Sequence, residues 1–190
     1  MKTTKKLASV LLLASIIFVG CKKDPVTPQN EEELITTMIL SLQKQGSSTV
    51  QNFTFNDPDG TGGISATIDS IIIEKAAIYS AKITVLNTQS TPADTISNEV
   101  LEEGVDHQFF YKSTPSNVLS GFIYQGENDI DGNPIGLNFQ FDTWNTGGSG
   151  NLKITLRHQP DKNATGVSSG DITNANGETD IEVTFPVILY

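Results

Sequence analysis

The chain of 190 residues contains one cysteine, Cys21. No intramolecular disulfide can form, so the fold must rest on its core. Basic side chains are also scarce, with 12 Lys and Arg against 22 Asp and Glu. Such a surface repels phosphate backbones and anionic headgroups, which excludes nucleic acid and peripheral electrostatic membrane binding as expectations. Cationic partners and metals suit it. Catalytic signatures are missing as well: no HExxH, Walker loop or CxxC occurs. Gly166-Val167-Ser168-Ser169-Gly170 has the G-x-S-x-G spacing, yet it lies in a stretch rich in Ser, Gly, Asn and Asp, and both histidines precede it, against the order of that hydrolase fold. The expectation is a protein that is not an enzyme.

Long hydrophobic runs are equally lacking. Leu7 to Val19 is the longest, thirteen residues interrupted only by Ser9 and Ser15. A transmembrane helix needs about 20. With Lys2, Lys5 and Lys6 ahead of it, the run reads as the apolar region of a secretory signal over residues 1–20.

Phe18-Val19-Gly20-Cys21 resembles the lipobox of bacterial lipoproteins, with Phe18 where an aliphatic residue is usual. That resemblance implies cleavage before Cys21 and acylation of its thiol, so the expected partner is the lipid bilayer. Loss of residues 1–20 leaves 9 basic against 22 acidic side chains, a balance of −13. Residues 21–30, with Pro25 and Pro28 and no apolar periodicity, read as a tether. Lys23-Asp24 partly resembles the surface-export signal of Bacteroidota lipoproteins, so the expected location is the outer membrane, on its periplasmic or cell-surface face.

Residues 31–190 read as one domain, since no second linker divides them. Their periodicity is mostly two. Ile181, Val183, Phe185, Val187 and Leu189 share one face, with Pro186 marking an edge or bulged strand. Leu152, Ile154 and Leu156 form a second face, and Leu137, Phe139 and Phe141 a third. Phe53 with Phe55, and Tyr79 with Ala81, Ile83 and Val85, supply two more. Less regular strands are expected at 64–73, 107–113 and 118–124. Around Leu34 to Leu42 the spacing suits a helix capped by Asn30 and Glu33, but the β-branched residues favour a strand. Eight or nine strands without alternating helices predict an all-β, antiparallel β-sandwich of immunoglobulin-like type.

Two sets of residues are candidates for binding. Asp57 and Asp59, and Asp129 and Asp131, sit in Asn-Asp-x-Asp-Gly turns that would present oxygens to Ca²⁺. Asp-Gly is also ordinary hairpin chemistry, and a hard cation needs about six to eight oxygens, so the turn reading leads. His107 shares a face with Phe109 and Tyr111, while His158 continues the row of Leu152, Ile154 and Leu156. As a pair at one rim they would form part of a site for Zn²⁺, Cu²⁺ or haem, backed by Asp106 or Asp161 and completed by acids of neighbouring loops. The alternative is two rings bonded to loop backbone that pin the rim.

The lipobox, NEEELITT, DHQFFY, DGNPIGLNF, LRHQPDK and GETDIEVTFPV together resemble a family of small Bacteroidota lipoproteins, some described as having a type 1 periplasmic binding fold. That description implies βα alternation, which is absent here. The resemblance also implies a TonB-dependent outer-membrane receptor as a partner. Asp69-Ser70-Ile71 and Asp94-Thr95-Ile96 are similar to the O-glycosylation motif of that phylum, on Ser70 and Thr95. The expectation is a ligand-binding or accessory lipoprotein, with a structural or adhesive module and a metal- or haem-binding protein as alternatives.

Overall fold

A computed structural model of the chain describes residues 33–60 and 63–190. The signal, Cys21 and the tether lie outside the described residues. Glu32–Tyr190 forms one compact unit. Its elements in order are β1 (Thr37–Lys44), β2 (Val50–Asn56), β3 (Thr67–Ile68), β4 (Ile71–Ile73), β5 (Ile78–Leu86), α1 (Ile96–Glu102), β6 (His107–Thr114), β7 (Leu119–Gln125), β8 (Asn138–Thr143), β9 (Gly148–His158) and β10 (Glu178–Leu189). They build a six-stranded sheet, β3-β2-β1-β5-β8-β7, and a four-stranded sheet, β4-β10-β9-β6.

The two sheets share one core. Met38, Leu40 and Leu42 of β1 are fully buried, so the ambiguous segment keeps a period of two and is a strand. Ile83 and Val85 of β5 and Phe139 and Phe141 of β8 extend that face. Phe109, Leu152, Ile154, Leu156, Val183 and Phe185 supply the opposing one. The mostly-β, two-sheet expectation is therefore met.

Three details differ from it. β4 pairs with β10 in parallel, Val187 opposite Ile71, so the sandwich is not wholly antiparallel. β10 is flanked by β4 and β9, and Pro186 is accommodated because β4 begins to pair only at Val187, leaving the proline's other side without a ladder partner. The short α1 carries only Ile96 and Val100 as buried residues, too few to leave a helical period in the sequence.

Between β9 and β10 the chain makes an excursion, 159–177, that covers the outer face of β6. Val167 and Ala175 pack on Phe110, so β6 is buried on both faces at its start. Arg157 Nε donates to the Asn176 carbonyl and closes the excursion at its base. Gly177, at φ +68°, completes the closure, because a Cβ there would stand 2.1 Å from the His158 carbonyl oxygen.

Candidate metal centre

His107 opens β6 and His158 ends β9, and the antiparallel register pairs them directly. Both side chains follow the inward rows read from the sequence. Their rings lie 4.7 Å apart at a tilt of 55°. A 3-10 turn, Gly104–Asp106, delivers the chain to His107.

β10 brings the third group. Its register with β9 shifts between Thr179 and Ile181, a β-bulge that takes Asp180 out of alternation. A regular strand with Ile181 and Val183 inward would point Asp180 away from the core. Instead its side chain is 2 % exposed, with Oδ1 3.6 Å from His158 Nδ1 and Oδ2 3.8 Å from His107 Nε2. A fourth group comes from outside the sheet: Glu33 Oε1 lies 3.9 Å from His107 Nε2.

The tautomer of His107 follows from its neighbour. His107 Nδ1 lies 3.2 Å from the Glu103 carbonyl, which can only accept, so Nδ1 carries the proton. Burial pushes the ring's pKa down, aided by His158 and opposed by the Glu103 contact, which favours the neutral form. Nε2 is then a bare lone pair facing the carboxylate oxygens of Glu33 and Asp180. Among the described residues His107 Nε2, His158 Nδ1 and Glu33 Oε2 are buried without a hydrogen-bond partner. Burial, with the charges of Glu99, Asp180, Glu103 and Asp94, pushes the Glu33 carboxyl up to about 7.

The His107 Nε2 lone pair facing carboxylate oxygens in a buried site is satisfied by a proton on the carboxyl or by a metal ion between them. No hydrogen bond is formed at these separations, since 3.6–3.9 Å exceeds the N–H···O range of about 2.7–3.2 Å. A metal ion with bonds of about 2.0–2.2 Å would have tetrahedral ligands roughly 3.3–3.6 Å apart. The two histidine–Asp180 separations, 3.8 and 3.6 Å, lie within a few tenths of an ångström of that range. His107, His158 and Asp180 each offer a ligand atom within 4.8 Å of the others. The Glu103 carbonyl on Nδ1 is the type of backing that orients a metal-ligating imidazole.

Other candidates fall elsewhere. The Asp106 carboxylate acts on His107 through its charge, and an Asp161 carboxylate oxygen accepts from the Asn163 N–H. Asp129 serves its own loop: Oδ1 accepts from the Asp131 and Asn133 N–H groups, and Oδ2 from Lys162 at 2.9 Å. Asp59 accepts from the Ile64 N–H. Among the described residues neither acid pair joins a group of three or more possible ligands. Ser70 is exposed, and Thr95 precedes α1 without capping it. Ser168 is exposed on a 3-10 turn of the excursion, Val167–Ser169.

Asp180 and Glu33 were not singled out from the sequence as ligands. Asp180 had no signal, because only the bulge turns it inward. Glu33 stands in a run of three glutamates, where its spacing from Asn30 suits a helix cap and the β-branched residues after it favour a strand. Comparison of the chain with family models, curated proteins and solved structures gave no match.

Proposed function

We propose that this chain is a lipid-anchored, non-enzymatic binding module that holds a divalent transition-metal ion at its rim through His107, His158 and Asp180. One observation carries the reading: two buried imidazole nitrogens, His107 Nε2 and His158 Nδ1, have no hydrogen-bond partner among the described residues and converge on the Asp180 carboxylate. Two nitrogen donors with carboxylate oxygen suit Zn²⁺, Cu²⁺ or Ni²⁺ and not Ca²⁺ or Mg²⁺, which take oxygen shells. Haem fits less well, because His107 is fully buried and offers no slot for a macrocycle.

The anchor completes the proposal. Acylation of Cys21 would hold an immunoglobulin-like sandwich at the outer membrane, and partnership with a TonB-dependent receptor would give a metal-binding accessory its destination. An adhesive module would need no such cluster. The test is to label cells with a fatty-acid analogue, purify the protein in detergent and measure bound metals by mass spectrometry, with Cys21→Ser and His107→Ala beside the parent. The expected result is an acylated protein with about one zinc or copper per chain, acylation lost in the first variant and metal lost in the second. Metal-free protein, or equal metal in His107→Ala, contradicts the metal reading; acylated Cys21→Ser contradicts the anchor.

A further inference from the structure

Glu33 belongs to none of the strands that carry the other three groups. It lies twelve residues after Cys21 and just beyond the expected tether. From it the chain runs through Leu34, Ile35 and Thr36 into β1. Ile35 and Thr36 are buried, and Thr36 N–H donates to the Leu86 carbonyl at 3.0 Å, so this short segment is fixed at its β1 end. At its other end the Glu33 side chain is 12 % exposed and turned to the rim, Oε1 towards His107 Nε2 and Oε2 buried without a hydrogen-bond partner among the described residues. Among the described residues the charged groups acting on it are Glu99, Asp180, Glu103 and Asp94, all acids. A carboxylate among such neighbours is relieved either by a proton or by a cation, and a dication would satisfy Glu33 and His107 Nε2 together.

We propose that Glu33 is the fourth ligand, and that the bound dication therefore clasps the base of the tether to the rim formed by β6, β9 and β10. This rests on the metal reading above. The four ligands come from four separate segments, so occupancy joins parts of the chain as distant as residues 33 and 180. Each such closure removes freedom from the chain. The ion would then fix how the domain leaves its anchor: filled, the segment 33–36 is held at both ends; empty, it is held only through Ile35 and Thr36. Among the described residues Glu33 groups with His107 and Glu103, while His107 also groups with His158 and Asp180, so the clasp requires the Glu33 carboxylate to move towards the second group, with the Glu103 carboxylate as the competing base.

The experiment uses the full chain in detergent, freed of metal with a chelator, and Zn²⁺ as the probe. Calorimetry gives affinity and stoichiometry for the parent and for Glu33→Gln, and hydrogen exchange reads the amides of Leu34 and Ile35 with and without zinc. The expected result is one zinc per parent chain, an affinity roughly 10- to 100-fold weaker in Glu33→Gln at unchanged stoichiometry, and zinc-dependent protection of the two amides in the parent alone. Equal affinity in the two proteins, or equal protection, overturns the role of Glu33 and leaves the three-strand site intact. A parent that binds no zinc overturns the metal reading and this inference with it.

Discussion

Lys162 and His107 are both buried polar side chains, linked through the turn that begins at Gly104, and their surroundings contrast. Lys162 Nζ donates to the Gly104 carbonyl, to Asp129 Oδ2 at 2.9 Å and to the Pro134 carbonyl at 3.3 Å. All three protons are used. Burial alone would raise the Asp129 carboxyl, but the Lys162 contact and the N–H groups of Asn133 and Asp131 outweigh it and hold the carboxyl below its ordinary value. At the histidines, two imidazoles meet acids with no Lys or Arg hydrogen-bonded or ion-paired to His107, His158 or Glu33 among the described residues. A latch built for stability is complete in itself. At the rim the proposed ion would play the part that the Lys162 ammonium plays in the latch.

The comparison breaks first at the latch. Lys162→Met leaves Asp129 buried beside a lost partner, and the expected loss is about 3–5 kcal/mol of unfolding free energy in a denaturant titration. Zinc affinity should stay at the parent value. A fall in affinity equal to that in a histidine variant would mean that the two clusters are one structural unit.

Next comes the ion. Zinc at 100 times its Kd should stabilise the parent by about 2.7 kcal/mol, read as a rise in Tm, and His158→Ala should show no such rise. A rise that survives the substitution would place the zinc elsewhere.

How much of this contrast was legible in the sequence depended on range. The alternating faces of β5, β8, β9 and β10 were readable because each strand carries its own period-two record of burial. The two histidines could be assigned to inward rows for the same reason, and their placement opposite one another follows once β6 and β9 pair. Asp180 could not be read, since a bulge shifts the phase of β10 at that residue. Glu33 and Lys162 act across long separations, and nothing local marks a glutamate as a ligand or a lysine as a latch. The parallel β4–β10 pairing was hidden for a like reason: three residues, Ile71–Ile73, hold no more pattern than an apolar loop.

A smaller effect sharpens the electrostatic side. The Glu33 carboxyl sits at about 7 in the folded chain against an ordinary 4.5, so the metal-free fold takes up a proton that the unfolded chain has already released. Its stabilising share is whole below about pH 4.5 and is lost as pH rises through 7. Glu33→Gln has no carboxylate to ionise. In chelator it should match the parent near pH 4 and exceed it by about 1–3 kcal/mol at pH 8, measured by denaturant titration at both pH values. The same substitution weakens zinc binding, so stability and affinity move in opposite directions. If the variant is less stable than the parent at pH 8, the Glu33 carboxylate has a partner that offsets its burial.

The smallest effect belongs to the Asp-Gly turns. Asp131→Asn should change stability by no more than about 0.5 kcal/mol, because Asp131 is exposed and contributes its backbone N–H to Asp129. Millimolar Ca²⁺ should leave the Tm of the parent where it is. A calcium-dependent rise lost in Asp131→Asn would return these turns to the set of binding sites.

The central claim is that the rim is an incomplete metal centre, and a zinc titration of the chelator-treated full chain by calorimetry, with Ca²⁺ and His107→Ala as the two controls, tests it most directly. The account predicts one zinc per chain, heat with zinc and none with calcium, and binding abolished in a His107→Ala protein whose far-ultraviolet circular dichroism is unchanged. No heat with zinc in the parent, or the same isotherm in the variant, would contradict it.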